Sequence, residues 1–194
     1  MKKSLLFAML LVAGTAIAQK IKVVEGSLAP LKGEKVIQTQ FGYSNMLIGK
    51  DGLSEADYIS KKKKEYNEKE AGRGDKWEVS WKEDRATRFE PQFNELLEKA
   101  GMVSTKGASK YTLIFNTTRT EPGWNVGIMR QPARIDAEAF VVETANPSTI
   151  IAKLTVMNAP GRDAMGYDYE SGARIQEAYA KSGKEIGQLI AKLK

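Results

Sequence analysis

The sequence predicts an α+β fold, with a mainly antiparallel sheet of about five strands, two core helices packed on one face and a more polar helix on the surface. Several short stretches alternate apolar and polar residues, as half-buried strands do. Two longer stretches place apolar residues at helical spacing instead. Only a few residues separate the last two predicted strands, which indicates an antiparallel hairpin.

The first half of the chain is predicted to contain two short strands and then a polar helix. Residues 20–26 form the first strand, and residues 34–43 form the second, in which one face is apolar. The residues Ser54-Glu55-Ala56-Asp57 resemble a capping box, so a helix is predicted to begin at Ser54 and to extend to about residue 70. Most sides of this helix are charged, which places it on the surface.

A pair of tryptophans follows the glycine-containing break at residues 72–75. Trp77, Val79 and Trp81 alternate as in a strand, but Trp77 and Trp81 are also four residues apart, as on one face of a helix. Residues 75–85 are therefore compatible with a strand or a helix. In both interpretations we expect the two tryptophans to pack in the core.

Two core helices are predicted in the second half of the chain. The first covers residues 88–100, with Pro91 in its first turn and Gly101 as its stop signal. The second covers residues 168–192 and is predicted to lie across the sheet. Its apolar stripe consists of Ile175, Tyr179, Ile186, Leu189, Ile190 and Leu193.

Three strands are predicted between these helices, at residues 110–120, 133–144 and 149–158. The break at residues 145–148 contains Asn146-Pro147 and is short enough for a hairpin. The last two strands are therefore expected to pair antiparallel.

The first 18 residues have the organisation of a signal peptide. Lys2 and Lys3 precede a short apolar run, which ends at the small-residue pattern Ala16-Ile17-Ala18. The chain contains no cysteine that could carry a lipid, and no later segment is apolar enough to span a membrane as a helix. We expect a single α+β domain at residues 19–194, soluble after cleavage, in the periplasm or outside the cell.

The composition excludes several classes of catalytic site. The chain has neither cysteine nor histidine, which rules out a cysteine nucleophile, a Ser-His-Asp triad and a histidine-ligated zinc centre. No catalytic residue, metal site or cofactor is predicted. The formal net charge of +6 is modest and is not arranged as a nucleic-acid interface, so no nucleic-acid partner is predicted.

The candidate binding residues are Trp124, Glu121, Asn125 and Arg130. They lie in or beside a stretch rich in glycine and proline, which shapes the backbone without contributing to a core. A tryptophan in such a loop either folds back onto the protein or stacks on a ligand such as a sugar.

Part of this stretch also carries a family resemblance. Residues 121–133, with Asn146-Pro147, residues 172–175 and residues 178–184, resemble a family of small exported proteins of unknown function from gut-type bacteria. The resemblance covers roughly the C-terminal half of the chain. It implies an exported α+β domain and supplies no catalytic or binding residue.

These observations predict a non-catalytic exported protein that binds an envelope protein or a glycan. The alternative is a carboxylate-based hydrolase acting on polysaccharide, which needs two acidic side chains about 5 or 9 Å apart in a cleft. The sequence leaves the identity of the partner and the oligomeric state open.

Cleavage between Ala18 and Gln19 is expected when the protein is exported, because the apolar run ends in a small-residue site there. N-terminal sequencing or intact mass of the exported protein measures the cleavage position. A mature form that retains residues 5–12 would show that the segment is a membrane anchor.

Overall fold

An eight-stranded mixed sheet organises the computed structural model, which describes residues 19–126, 129–162 and 171–193. The strands in chain order are β1 (Lys20–Gly26), β2 (Val36–Gly42), β3 (Leu47–Ile48), β4 (Leu53–Ser54), β5 (Val103–Thr105), β6 (Tyr111–Glu121), β7 (Trp124–Val126), β8 (Met129–Gln131), β9 (Arg134–Glu143) and β10 (Ile150–Pro160). Strands β7 and β8 form a separate two-stranded ribbon. The predicted signal peptide, residues 1–18, lies outside the described residues.

The main sheet has the order β1-β10-β9-β6-β2-β5, with β3 beside β6 and β4 beside β3. Strands β9 and β10 pair antiparallel, as the short connection between them predicted. Strand β2, however, pairs parallel with both β5 and β6. The predicted sheet, mainly antiparallel with about five strands, is therefore wrong. Strands of two or three residues are too short to show alternation, and parallel pairing depends on where the intervening helices return the chain.

The described helices are α1 (Glu55–Lys69), α2 (Arg73–Asp84), α3 (Glu90–Lys99) and α4 (Ser171–Ala191), with a short 3₁₀ turn at Ala29–Leu31. The predicted start of α1 is confirmed, because the backbone N–H of Asp57 donates to Ser54 Oγ at 3.1 Å.

Helix α2 resolves the ambiguity at residues 75–85, and it buries both Trp77 and Trp81. The ring of Tyr58 on α1 lies 5.9 Å from the ring of Trp77 and 5.2 Å from that of Trp81, measured between centroids. A helix is the alternative that brings both indole rings to the same neighbour. The prediction of two core helices is therefore wrong, because α2 also contributes buried side chains to the core.

Helices α2 and α3 are joined without a break by a π-helical turn, Arg85–Phe89. Within it the N–H of Glu90 donates to the carbonyl of Arg85, five residues earlier. Pro91 comes next and has no N–H to donate, so a regular α-helical pattern would be interrupted at this point. The helix predicted to start near Pro91 is therefore a continuation of α2 through the π-helical turn.

Helices α3 and α4 pack closely against each other because α4 carries glycines at the contact. A Cβ atom on Gly183 would collide with the carbonyl oxygen of Phe93, and one on Gly187 would lie 2.6 Å from Ala100 Cβ. Ile186 lies between these glycines in sequence and is fully buried. The predicted packing of this helix in the core is therefore observed.

Gly183→Ala is expected to lower the free energy of unfolding by about 1–3 kcal/mol, because the new methyl group would meet backbone that cannot rotate away. Alanine normally stabilises a helix interior relative to glycine by about 1 kcal/mol, so the sign itself is diagnostic. Chemical denaturation measures the effect. Gly107→Ala is the control, since its nearest contact is a side-chain hydroxyl at 3.3 Å. Equal or greater stability of Gly183→Ala would contradict the close packing.

Candidate functional site

A cleft of about 200 Å³ lies where strands β6, β9 and β10 approach the β7–β8 ribbon, and we call it the ribbon cleft. Seven of its eight lining residues have polar or charged side chains. The lining residues are Lys50, Arg119, Glu121, Gln131, Arg134, Ile135, Asp136 and Asn158.

Two β-bulges determine which side chains face this cleft. The pairing of β6 with β9 shifts between Thr117 and Arg119, and the pairing of β9 with β10 shifts between Val156 and Ala159. Each bulge inserts one residue, which reverses the alternation of the strand beyond it. Burial therefore resumes at Thr120 in β6 and at Ala159 in β10. Arg119, Glu121 and Asn158 lie on the opposite face of the sheet.

The floor of the ribbon cleft carries charges of alternating sign. Arg119 lies directly opposite Asp136, and Glu121 lies directly opposite Arg134. Residues that face each other across an antiparallel pair lie on the same side of the sheet, with Cβ atoms about 4.5–5.5 Å apart. Four charged side chains are therefore gathered on a small area of rigid strand.

Both carboxylates of this floor are held by backbone donors. The N–H of Gly123 donates to Glu121 Oε1 at 3.2 Å, and the N–H of Asn158 donates to Asp136 Oδ1 at 2.7 Å. Asn158 adopts a left-handed backbone conformation with φ 54°, which accompanies the bulge. These hydrogen bonds fix the orientation of the two acids.

Arg119 positions the rim of the cleft. Its Nη2 donates to the carbonyl oxygens of Gly49 at 3.0 Å and Lys50 at 3.3 Å. The turn between β3 and β4 is thereby tied to β6, and Lys50 is held at the edge of the cleft.

Three of the four predicted binding residues lie on the β7–β8 ribbon, where they are divided between its two faces. Trp124 pairs with Gln131, and Asn125 pairs with Arg130. Trp124 therefore shares a ribbon face with Gln131, which lines the cleft, whereas Asn125 and Arg130 belong to the opposite face. Trp124 is 38% exposed. Glu121 belongs to the cleft floor itself.

A buried arginine anchors the start of the ribbon to α4. Arg174 is only 2% exposed, and its guanidinium donates to the carbonyl oxygens of Pro122 at 3.2 Å and Gly123 at 3.4 Å. The backbone beyond β10 also reaches α4, since the N–H of Arg162 donates to the carbonyl of Arg174 at 3.0 Å. The two segments that carry the family resemblance near residues 121–133 and 172–175 are thus in direct contact.

A second concavity of about 440 Å³, the α3 groove, lies between α3 and the edge of the sheet. Burial raises the pKa of Glu90, which accepts a hydrogen bond from the Tyr43 hydroxyl at 3.2 Å. A hydrogen bond from Lys99 lowers the pKa of Glu95, which lines the same groove. Burial also raises the pKa values of Asp84 and Glu185, which line neither concavity.

Across the three described ranges, no group of three or more acidic side chains is placed to hold a metal ion. Within the same ranges, no helix is long and apolar enough to cross a membrane.

Sequence reasoning missed Lys50, Arg119, Arg134, Asp136 and Asn158. Arg134 and Asp136 follow the regular alternation of β9, but Arg119 and Asn158 reach the same face only through the two bulges. A bulge leaves no clear mark in a single sequence, so these residues could not be grouped in advance.

No family model and no curated protein matches this chain. Among solved structures, a dodecamer of a single-substitution variant of PelC from Paraburkholderia phytofirmans matches with a TM-score of 0.38 and 11% identity, over 84% of this chain and 96% of that one. A PelC dodecamer from the same organism in another crystal form has a TM-score of 0.35 and the same identity and coverage. Protein XCC0632 from Xanthomonas campestris, of family DUF330, has a TM-score of 0.36 and 13% identity, over 52% of this chain and 59% of that one. Likeness at this level supports no inference about what this chain binds or how it assembles.

Proposed function

We propose that this chain is an exported, non-catalytic binding protein that recognises an envelope glycan in the ribbon cleft. The observation that carries the proposal is the combination of a rigid polar floor with a partly exposed tryptophan on the adjoining ribbon face. Its export rests on the predicted signal peptide and on the family resemblance, both of which remain predictions.

The chemistry of the floor is suited to sugar hydroxyls, which both donate and accept hydrogen bonds. Arg119 and Arg134 supply donors, Glu121 and Asp136 supply acceptors, and the amide of Asn158 supplies both. Because the two carboxylates are already oriented by backbone N–H groups, little side-chain ordering is needed on binding.

Trp124 adds the apolar component that glycan recognition requires. The faces of sugar rings carry C–H groups, and a flat aromatic side chain beside a polar cleft gives them a surface to stack on. Binding sites commonly combine a few oriented polar groups with one aromatic contact of this kind.

Trp124→Ala is expected to weaken retention of the mature protein on a glycan array at least about tenfold, equivalent to about 1.4 kcal/mol, while its melting temperature stays within about 2 °C of the parent. The stability should be preserved because Trp124 is already 38% exposed. Val79→Ala is the control, since Val79 is an exposed apolar residue on α2 outside the cleft lining.

Three outcomes of this experiment separate the alternatives. A large loss of stability without a change in binding would identify Trp124 as a packing residue. If the parent binds no glycan and Trp124→Ala captures an envelope protein more weakly than the parent does, the partner is a protein. Equal glycan binding by Trp124→Ala and the parent would show that the ribbon is not part of the binding site.

A carboxylate hydrolase acting on polysaccharide is the second candidate, and the α3 groove is the observation that favours it. A general acid and its ionised partner need pKa values shifted apart, as those of Glu90 and Glu95 are. If the protein is a hydrolase, it should release new reducing ends from polysaccharide, and Glu90→Gln should abolish the release. Glu185→Gln is the matched control, because its pKa is also raised but it lies outside the groove. Absence of release by the parent protein would contradict this candidate.

A further inference from the structure

We propose that the glycan recognised by the ribbon cleft is acidic, and that Arg134 binds its carboxylate group with the help of Lys50. This inference rests on the proposed function and names the chemical class of its ligand. It is carried by the position of one partly buried arginine on the cleft floor and by the charge balance around it.

Arg134 is partly buried on the cleft floor, and none of the described residues places an acceptor within hydrogen-bonding distance of its guanidinium. Its cross-strand neighbour Glu121 accepts from the N–H of Gly123 instead. The guanidinium nitrogens of Arg134 remain accessible from the cleft, where a charged acceptor forms stronger hydrogen bonds than a neutral one. A carboxylate matches the planar fork of the guanidinium with two parallel hydrogen bonds.

Lys50 provides a second cation at the rim of the same cleft. No acidic side chain among those described forms an ion pair with it. Its backbone carbonyl accepts from Arg119, which holds the turn in place while leaving the ammonium group available. A carboxylate bound to Arg134 would lie within the attraction of this second positive charge.

The overall charge of the lining selects the kind of anion. Three cationic side chains face two carboxylates, which leaves one excess positive charge. A single excess charge suits a monoanion, because Glu121 and Asp136 repel a dianionic phosphate more strongly than they repel a single carboxylate. A uronic-acid sugar carries one carboxylate per ring together with the hydroxyls that the rest of the floor can bind.

The test is calorimetric titration of the mature protein with short oligomers of galacturonate, glucuronate and mannuronate, each compared with its neutral methyl ester, and with inorganic phosphate. At least one acidic oligomer is expected to bind about tenfold or more tightly than its ester. Arg134→Gln should remove this preference for the acidic form. Arg134→Lys should retain only part of the preference, and Lys50→Gln should reduce it. Arg162→Gln is the control, since it removes the same charge from an exposed arginine outside the cleft lining.

The outcomes distinguish this inference from the proposed function. Equal binding of the acid and ester forms, or an unchanged preference in Arg134→Gln, overturns the carboxylate assignment and leaves glycan binding intact. Tighter binding of inorganic phosphate than of every acidic oligomer also overturns it. If the parent protein binds no glycan, acidic or neutral, the proposed function itself is refuted. Melting temperatures of all variants should match the parent, and Arg134→Lys keeps the test decisive if Arg134→Gln does not fold.

Discussion

The buried guanidinium of Arg174 is the interaction on which the geometry of the ribbon depends. A cation removed from water in this way must be surrounded by acceptors, and the carbonyls of Pro122 and Gly123 are two of them. Gly123 adopts φ 72°, and a Cβ atom there would lie 2.5 Å from the carbonyl oxygen of Gln131. The chain between β6 and β7 can therefore reach Arg174 only with glycine at this position.

This anchor links the ribbon cleft to the packing of the helices. Arg174 belongs to α4, and α4 is fixed against α3 through the close contacts of Gly183 and Gly187. Arg119 fixes the opposite rim by binding the turn between β3 and β4. The cleft is thus bordered by two segments that are each held by an arginine bound to backbone carbonyls. Such a site needs little ordering when a ligand arrives.

The long elements of the fold were predictable from the sequence, and the contacts between distant segments were not. The apolar stripe of α4 and the hairpin of β9 and β10 have strong local patterns, whereas no local pattern indicates the parallel pairing of β2 with β6. In the candidate site, glycine-rich composition drew attention to Trp124, and Glu121 proved to be part of the cleft floor. Asn125 and Arg130 were grouped with them by nearness in sequence, but alternate residues of a ribbon face opposite ways. The three cationic side chains of the cleft come from β6, β9 and the turn at Lys50, and the facing of Arg119 depends on the bulge at Thr118.

The bulge in β6 sets the phase of the strand where it reaches the cleft. If residues 117–121 of the same sequence alternated regularly, Arg119 and Glu121 would lie on the buried face with Thr117. The extra residue at Thr118 shifts the phase by one position, so that Thr120 is buried and the two charged side chains face the cleft. The facing of these charges is therefore encoded by strand phase as well as by residue type.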